Sequence, residues 1–178
     1  KNLERELQRL ATTDMLTGIA NRRAFLECAE SAYAHSRSNG EALTLLMLDL
    51  DHFKAINDRF GHLEGDRALL AFAQAIKGQL RASDAVGRLG GEEFGVLLPL
   101  TTLAEGLEVA TRMLRSVSAL ELTDEAGHCY CVTTSLGVST FRQSDRSLRD
   151  MLDRADQALY LAKHRGRNQV ASLETLDE

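Results

Sequence analysis

The segment that most constrains the fold lies at residues 86–98 and reads Val-Gly-Arg-Leu-Gly-Gly-Glu-Glu-Phe-Gly-Val-Leu-Leu. An apolar run enters, two glycines turn the chain, two carboxylates follow, and a second apolar run leaves. Gly90 and Gly91 allow the positive φ angles that tight hairpin turns require. Apolar side chains then alternate along the outgoing strand. The segment therefore predicts a β-hairpin with acid at its tip.

The two carboxylates at that tip are Glu92 and Glu93. Adjacent residues of a strand point to opposite faces, so these side chains should serve different purposes. Acid on a rigid turn is suited to holding a metal ion. An acidic, solvated hairpin tip explains the same four residues equally well, so the motif alone leaves both readings open.

Hydrophobic periodicity predicts helices and strands on both sides of this hairpin. Residues 119–128 are polar and predict a loop or a small hairpin. The remaining elements are helices over about 22–37, 64–80, 103–117 and 148–164, a helical turn over 53–58, and strands over 42–50, 129–141 and 168–173. This order is typical of an α/β (α+β) fold in which helices pack over one sheet.

The chain ends and the composition limit the class of protein. Residues 1–12 place leucines four and three apart, which predicts a helical stub that continues an upstream module. The net charge of −5 argues against general nucleic-acid binding. No apolar run reaches the length of a membrane span. Three cysteines without a C-x-x-C pair favour reduced thiols in the cytoplasm, packed inside the protein: Cys28, Cys129 and Cys131.

Acidic and basic residues converge on the predicted edge of the sheet. Asp49 and Asp51 end the 42–50 strand, where ligands usually meet a sheet. Carboxylates from this strand and from the hairpin suit Mg²⁺, and Lys54, Lys163 and Arg167 would neutralise a polyphosphate. Acid, metal and basic groups together favour phosphoryl or nucleotidyl transfer. The P-loop sequence is absent, and solvated surface charges remain an alternative.

Four spaced motifs add a family resemblance that covers residues 13–172. They are Asp14-x-Leu-Thr-Gly-x-x-Asn-Arg-Arg23, Asp49-Leu-Asp-x-Phe-Lys54-x-x-Asn57-Asp-x-x-Gly61-His62-x-x-Gly65-Asp66, Arg88-x-Gly-Gly-Glu-Glu-Phe94 and Ala162-Lys163-x-x-Gly-Arg167-Asn168. In this order they resemble the GGDEF domain of bacterial diguanylate cyclases. We therefore predict a GGDEF domain over 13–178 after the 1–12 stub.

The resemblance implies a mostly antiparallel sheet wrapped by helices, as in the polymerase palm and class III nucleotidyl cyclases. It implies a reaction in which a homodimer condenses two GTP into cyclic di-GMP and two pyrophosphates. Asp49 and Glu92 would be the catalytic residues and metal ligands, with the Leu50 carbonyl as a third ligand and Glu93 as a further one. The expected cofactor is Mg²⁺, with Mn²⁺ as an alternative.

The resemblance also implies where the substrate binds. The phosphates would meet the backbone N–H groups of His52 and Phe53 and the side chains of Lys54, Lys163 and Arg167. The base would meet Asn57 and Asp66. A carboxylate accepts both donors of guanine, whereas adenine would present an unpaired acceptor to Asp66, so we predict GTP over ATP. His62 would touch the ribose or pack against the protein, and packing is preferred.

A second site follows from the corner Arg81-Ala82-Ser83-Asp84. It matches the family's inhibitory R-x-x-D motif, so Arg81 and Asp84 would grip the product cyclic di-GMP, with Arg112 as a further inhibitory residue. Two departures from the family are small: Ala20 replaces a common proline, and Glu92 replaces the Asp of the family's name.

Two other functions compete with an active cyclase. One is a silent receptor for GTP or cyclic di-GMP, and the other is a coiled-coil dimerisation domain with an incidental hairpin. Since the chain opens on Lys1 within a helical pattern, we expect it to be part of a longer protein. The upstream part would be a sensory or regulatory module, with or without a membrane anchor, and the domain itself would be cytoplasmic.

Overall fold

The computed structural model describes residues 2–174, which form six helices and seven strands. The helices are α1 (Asn2–Thr12), α2 (Arg22–Asn39), α3 (Phe53–Phe60), α4 (His62–Lys77), α5 (Leu103–Ser118) and α6 (Leu148–His164). The strands are β1 (Leu43–Leu50), β2 (Ala85–Gly90), β3 (Glu93–Pro99), β4 (Leu122–Thr123), β5 (Cys129–Tyr130), β6 (Thr134–Thr140) and β7 (Val170–Ser172).

Five strands form the central sheet in the order β2-β3-β1-β6-β7. β1 pairs antiparallel with β3 and with β6, whereas β6 and β7 pair in parallel. All residues of β1 are buried, because the strand lies mid-sheet and both faces are covered. This mostly antiparallel sheet with its helices confirms the predicted α+β class.

Helices cover the sheet on two sides, and β1 shows how the sequence divides between them. Leu43, Leu45 and Met47 belong to a core cluster with residues of α2 and α6. Leu46, Leu48 and Leu50 belong to another with residues of α4 and α5. Because successive strand residues face opposite sides, one apolar strand supports both layers.

The predicted hairpin is formed by β2 and β3, with one change at its tip. Gly90 pairs with Glu93, so the turn itself is Gly91 and Glu92. The register shifts between Arg88 and Gly90, which is where a β-bulge adds one residue to β2. Gly90 and Gly91 adopt φ angles of 156° and 47°, the positive values that the glycine pair predicted.

The predicted strand 129–141 is divided between two sheets. β5 pairs with β4 in a separate small hairpin, and β6 joins the central sheet. The residues between them leave the ladder, and the Thr133 carbonyl accepts the Asp51 N–H at 2.9 Å. Cys129 and Cys131 are exposed on and beside the small hairpin, so the prediction that they pack is wrong.

Other boundaries differ because of local backbone geometry. α4 ends at Lys77 instead of continuing to residue 80, because the Gln79 and Leu80 N–H groups bond to carbonyls only three residues back and so leave the α-helical pattern. β7 is shorter than the predicted strand 168–173, since the chain is left-handed through Gly166, Arg167 and Asn168. Cys28 is exposed on α2, whose buried face is built by Phe25, Ala29, Tyr33 and Ser36.

The predicted N-terminal helix is present as α1, and its leucines face solvent. Leu3, Leu7 and Leu10 have exposed fractions of 72%, 58% and 49%. Within residues 2–174, none of the helices has both the length and the apolar character needed to cross a membrane.

Candidate active site

The tip of the hairpin and the end of β1 meet at one edge of the sheet. Asp49 is in register with Glu93 across β1 and β3, and the Leu50 N–H donates to the Glu92 carbonyl at 3.3 Å. A cleft of about 460 Å³ opens there. Its lining includes these predicted site residues: Asp49, Leu50, His52, Phe53, Lys54, Glu92, Lys163 and Arg167.

Asp49 is the most perturbed carboxylate of this cleft. It is buried, Lys163 donates to its Oδ2, and its Oδ1 is buried without a hydrogen-bond partner. Burial raises the pKa of Asp49 to about 6; Lys163 opposes the rise, and Glu93 and Glu92 add to it. A buried acceptor without a donor is unfavourable, so this oxygen is suited to a bound cation.

The donor set around Asp49 fits Mg²⁺ better than a metal that needs a full protein cage. Among residues 2–174, no group of three or more His, Cys, Asp and Glu side chains is arranged to hold a metal. Mg²⁺ is typically bound by one or two carboxylates together with water and substrate phosphates. Asp49, Leu50 and Glu92 line the cleft, and two carboxylates with the Leu50 carbonyl would be such a partial set, whereas Glu93 is exposed.

The other predicted site residues that line the cleft form a surface suited to phosphate, which we call the phosphate wall: His52, Phe53, Lys54, Lys163 and Arg167. His52 precedes α3 with a φ of 55°, and no side chain caps that helix. The first N–H groups of α3, at Phe53 and Lys54, therefore lie at an uncapped positive helix end. Lys163 and Arg167 line the same cleft from the end of α6. The structure thus brings together all the residues predicted to bind phosphate.

The residues predicted to bind the base lie farther along α3 and α4. Asn57 Oδ1 is buried and has no partner, while Asp66 is exposed on the next helix. Gly65 brings the helices close, since a Cβ there would lie 1.8 Å from Asn57 Oδ1. His62 is exposed in a neighbouring groove, so the preference for packing is wrong and its contact with ribose stays a prediction.

Comparisons with known proteins identify this arrangement. The protein-family model for "Diguanylate cyclase, GGDEF domain" matches residues 11–169. The chain belongs to the GGDEF domain family. This result confirms the resemblance seen in the four motifs.

Curated relatives share the domain but are much longer. Diguanylate cyclase DgcP of Pseudomonas aeruginosa is 41% identical over 169 residues, which are 95% of this chain and 25% of that protein. Response regulator PleD of Caulobacter vibrioides is 41% identical over 170 residues, 95% of this chain and 37% of that protein. The chain thus spans less than half the length of these relatives.

Solved structures share the fold closely. The coiled coil and GGDEF domain of DgcB from Caulobacter crescentus, in complex with c-di-GMP, has a TM-score of 0.91 at 31% identity. That match covers 96% of this chain and 90% of the DgcB chain. The diguanylate cyclase SiaD of Pseudomonas aeruginosa, solved in complex with its activator SiaC, has a TM-score of 0.88 at 38% identity. That match covers 96% of this chain and 65% of the SiaD chain.

The predicted inhibitory pair of this GGDEF domain is an ion pair at the corner before β2. Arg81 Nη2 lies 3.1 Å from Asp84 Oδ1, and the exposed side-chain fractions are 59% and 3%. The same nitrogen donates to Thr101 Oγ1 at 2.8 Å and to the Pro99 carbonyl at 3.2 Å. Arg112 is exposed on α5 and lines a groove that contains neither residue of the pair.

The GGDEF domain also contains two positions whose contacts could not be predicted from the sequence. Arg88 forms a 3.3 Å ion pair with Asp14, which joins the hairpin to the segment after α1. Asp51 is a buried carboxylate at the cleft with hydrogen-bond donors on both oxygens. Both residues belong to the four quoted motifs, and this was the one sign in the sequence that they matter. Their partners are distant in sequence, so the contacts themselves could not be predicted.

Proposed function

We propose that this GGDEF domain is an active diguanylate cyclase that condenses two GTP into cyclic di-GMP and two pyrophosphates. The observation that carries the proposal is the buried, unpartnered oxygen of Asp49. Asp49 lines a cleft that also contains Glu92, three cationic side chains (Lys54, Lys163 and Arg167) and the uncapped start of α3. Charge of both signs in one cleft matches a metal-bound triphosphate.

Asp49, the Leu50 carbonyl and Glu92 would hold Mg²⁺ or Mn²⁺, with Glu93 as a further ligand. When bound, the metal supplies charge neutralisation at the phosphates and a lowered pKa for a hydroxyl beside it. Glu92 would accept the proton of the attacking 3′-hydroxyl, because it lines the cleft from the turn at the hairpin tip. Asp49 would keep its charge next to that metal.

The phosphate wall would bind and orient the triphosphate. Lys54, Lys163 and Arg167 would offset the charge that grows on the leaving pyrophosphate. The N–H groups at the start of α3 would hold phosphate oxygens in fixed directions, because His52 and the helix set their geometry. Lys163, which contacts Asp49, would turn to the phosphates when GTP binds.

Asn57 and Asp66 would recognise guanine. Asp66 accepts two adjacent donors of guanine, and the unpartnered Asn57 Oδ1 offers one more acceptor. Adenine would leave acceptors facing each other, which is unfavourable in a closed site. We expect a kcat/KM for GTP well above that for ATP, and equal values measured side by side would contradict this assignment.

The reaction requires two subunits, since each nucleotide supplies the hydroxyl that attacks the other. The exposed leucines of α1 would pack against the α1 helix of a second subunit and so join a homodimer. An upstream regulatory module of the longer protein would control this pairing. DgcB, a structural relative, was solved with its coiled coil. The rate per subunit should rise with protein concentration at low concentration, whereas a constant rate would contradict a dimeric mechanism.

The product would inhibit by binding at Arg81 and Asp84, with Arg112 as an additional contact. The exposed guanidinium is available to a guanine edge, and Asp84 already orients it. Structures of DgcB were solved in complex with c-di-GMP. Arg81→Ala should relieve product inhibition while the initial rate persists, and unchanged tight product binding in that variant would refute the site.

The decisive experiment follows pyrophosphate release and cyclic di-GMP formation from GTP and Mg²⁺. Both products should appear with the wild type and disappear with Asp49→Ala and with Glu92→Ala, while circular dichroism shows that these variants stay folded. GTP binding without any product in the wild type would instead identify a receptor. We place this chemistry in the cytoplasm, where GTP is available.

A further inference from the structure

Two left-handed segments flank the phosphate wall of the cleft. Three of the four non-glycine residues with positive φ among the described residues lie there: His52 at 55°, Arg167 at 63° and Asn168 at 48°. Side chains make this conformation unfavourable, so it persists only where the surrounding structure holds it in place. His52 sets the start of α3, and Arg167 projects one of the predicted phosphate-binding guanidinium groups.

One buried carboxylate, Asp51, lies between these two segments. Its Oδ2 accepts the Asn168 N–H at 3.1 Å and the Thr133 hydroxyl at 2.8 Å, and its Oδ1 accepts the Ser135 hydroxyl at 2.7 Å. Only 5% of the residue is exposed. Asp51 also directly precedes His52, so it fastens both left-handed segments to β6.

Asp51 differs sharply from Asp49, which lies two residues earlier near the end of β1. Asp49 has a buried oxygen without a donor, whereas both oxygens of Asp51 are occupied by donors from the protein. A carboxylate that already accepts three hydrogen bonds has little capacity left for a metal ion. Its contacts instead determine where the chain after α6 can go.

We propose that Asp51 is a positioning residue that holds Arg167 in place for the triphosphate. Asp51 accepts the Asn168 N–H, and this hydrogen bond holds the Gly166–Asn168 turn, and with it Arg167, at the cleft. This inference rests on the proposed function, because it takes the triphosphate as the ligand of Arg167. The base-binding residues Asn57 and Asp66 lie on other elements and should not depend on Asp51.

The test measures equilibrium binding without turnover, using inorganic pyrophosphate and guanosine as separate probes in NMR titrations. Asp51→Ala should weaken pyrophosphate binding about tenfold, the scale of one hydrogen bond to a charged group, and leave guanosine affinity within about twofold. Asp51→Asn keeps an acceptor for the Asn168 N–H and should retain most of the affinity. A general loss of structure would instead weaken both probes.

A double-mutant cycle with Arg167→Ala separates positioning from an independent contribution. If Asp51 acts through Arg167, the Asp51→Ala change should have no further effect on pyrophosphate affinity once Arg167 is alanine. The proposal would be overturned if the double variant lost pyrophosphate affinity by the product of the two single losses. An unchanged pyrophosphate affinity in Asp51→Ala alone would overturn it as well. If Asp51→Ala does not fold, Asp51→Ser replaces it, since the shorter hydroxyl cannot span the three donors.

Failure of this inference can be told apart from failure of the proposed function. A wild-type domain that binds neither GTP nor pyrophosphate would contradict the proposed function itself. A wild type that binds both, with an Asp51→Ala variant that binds them equally well, would contradict only the role of Asp51.

Discussion

Replacing Gly65 by alanine should separate substrate recognition from stability. Gly65 lies in α4 against α3, and an added Cβ would lie 1.8 Å from Asn57 Oδ1 and 2.9 Å from Asn57 Cγ. The next nearest atom is Phe53 Cε2 at 3.3 Å. The close atoms belong to the end of one side chain, so Asn57 can rotate away while the backbone stays in place.

The two consequences of that rotation differ in size. Alanine is favoured over glycine in a helix by about 1 kcal/mol, and moving one side chain off its preferred rotamer costs about the same. The free energy of unfolding should therefore change by less than about 1 kcal/mol. Loss of one hydrogen bond to the base, about 1.4 kcal/mol, corresponds to a tenfold lower kcat/KM for GTP.

The assay combines steady-state kinetics with thermal unfolding, and Gly78→Ala is the matched control. Gly78 follows the same helix in a right-handed conformation, and its nearest neighbour to an added Cβ is the Gln74 carbonyl at 3.4 Å. The control should keep both melting temperature and kcat/KM. A folded Gly65→Ala variant with wild-type kcat/KM would refute the assignment of Asn57 to base recognition.

Three further outcomes follow from the structure. Gly137→Ala would place a Cβ 2.1 Å from the Ala155 carbonyl oxygen on α6, a backbone atom that cannot rotate away, so urea unfolding should show a loss of about 3 kcal/mol. The pKa of Asp49 is raised to about 6 in the folded state, above its unfolded value, so its charge opposes folding as the pH rises through that range. Asp49→Asn should therefore stabilise the metal-free protein more at pH 8 than at pH 5, and an equal gain at both would contradict the raised pKa. Tyr130 donates to the buried Glu64 at 2.6 Å and stacks on Phe60, so Tyr130→Phe should lower the melting temperature by leaving Glu64 less satisfied, and an unchanged melting curve would contradict that role.

Much of the fold could be predicted because it is encoded locally. The glycine pair and the alternating apolar residues predict the hairpin, and the apolar run before Asp49 predicts the central strand. Strand 129–141 could not be predicted correctly, since its two halves have similar β-forming residues and differ only in their partners. Exposure of Cys129 and Cys131 follows from the same cause, because their packing depends on which sheet this segment joins.

The sequence by itself determined the residue types that meet at the cleft and the order in which the chain supplies them. Only the tertiary structure decided that Asp49 has a free oxygen while Asp51 has none. Asp49 lies near the end of β1 and Asp51 follows that strand directly, so no local pattern distinguishes them. The donors that satisfy Asp51 are on Thr133, Ser135 and Asn168, between 82 and 117 residues away in the chain. Distant hydrogen bonds form only after the strands have paired, and for that reason the division of roles belongs to the folded molecule.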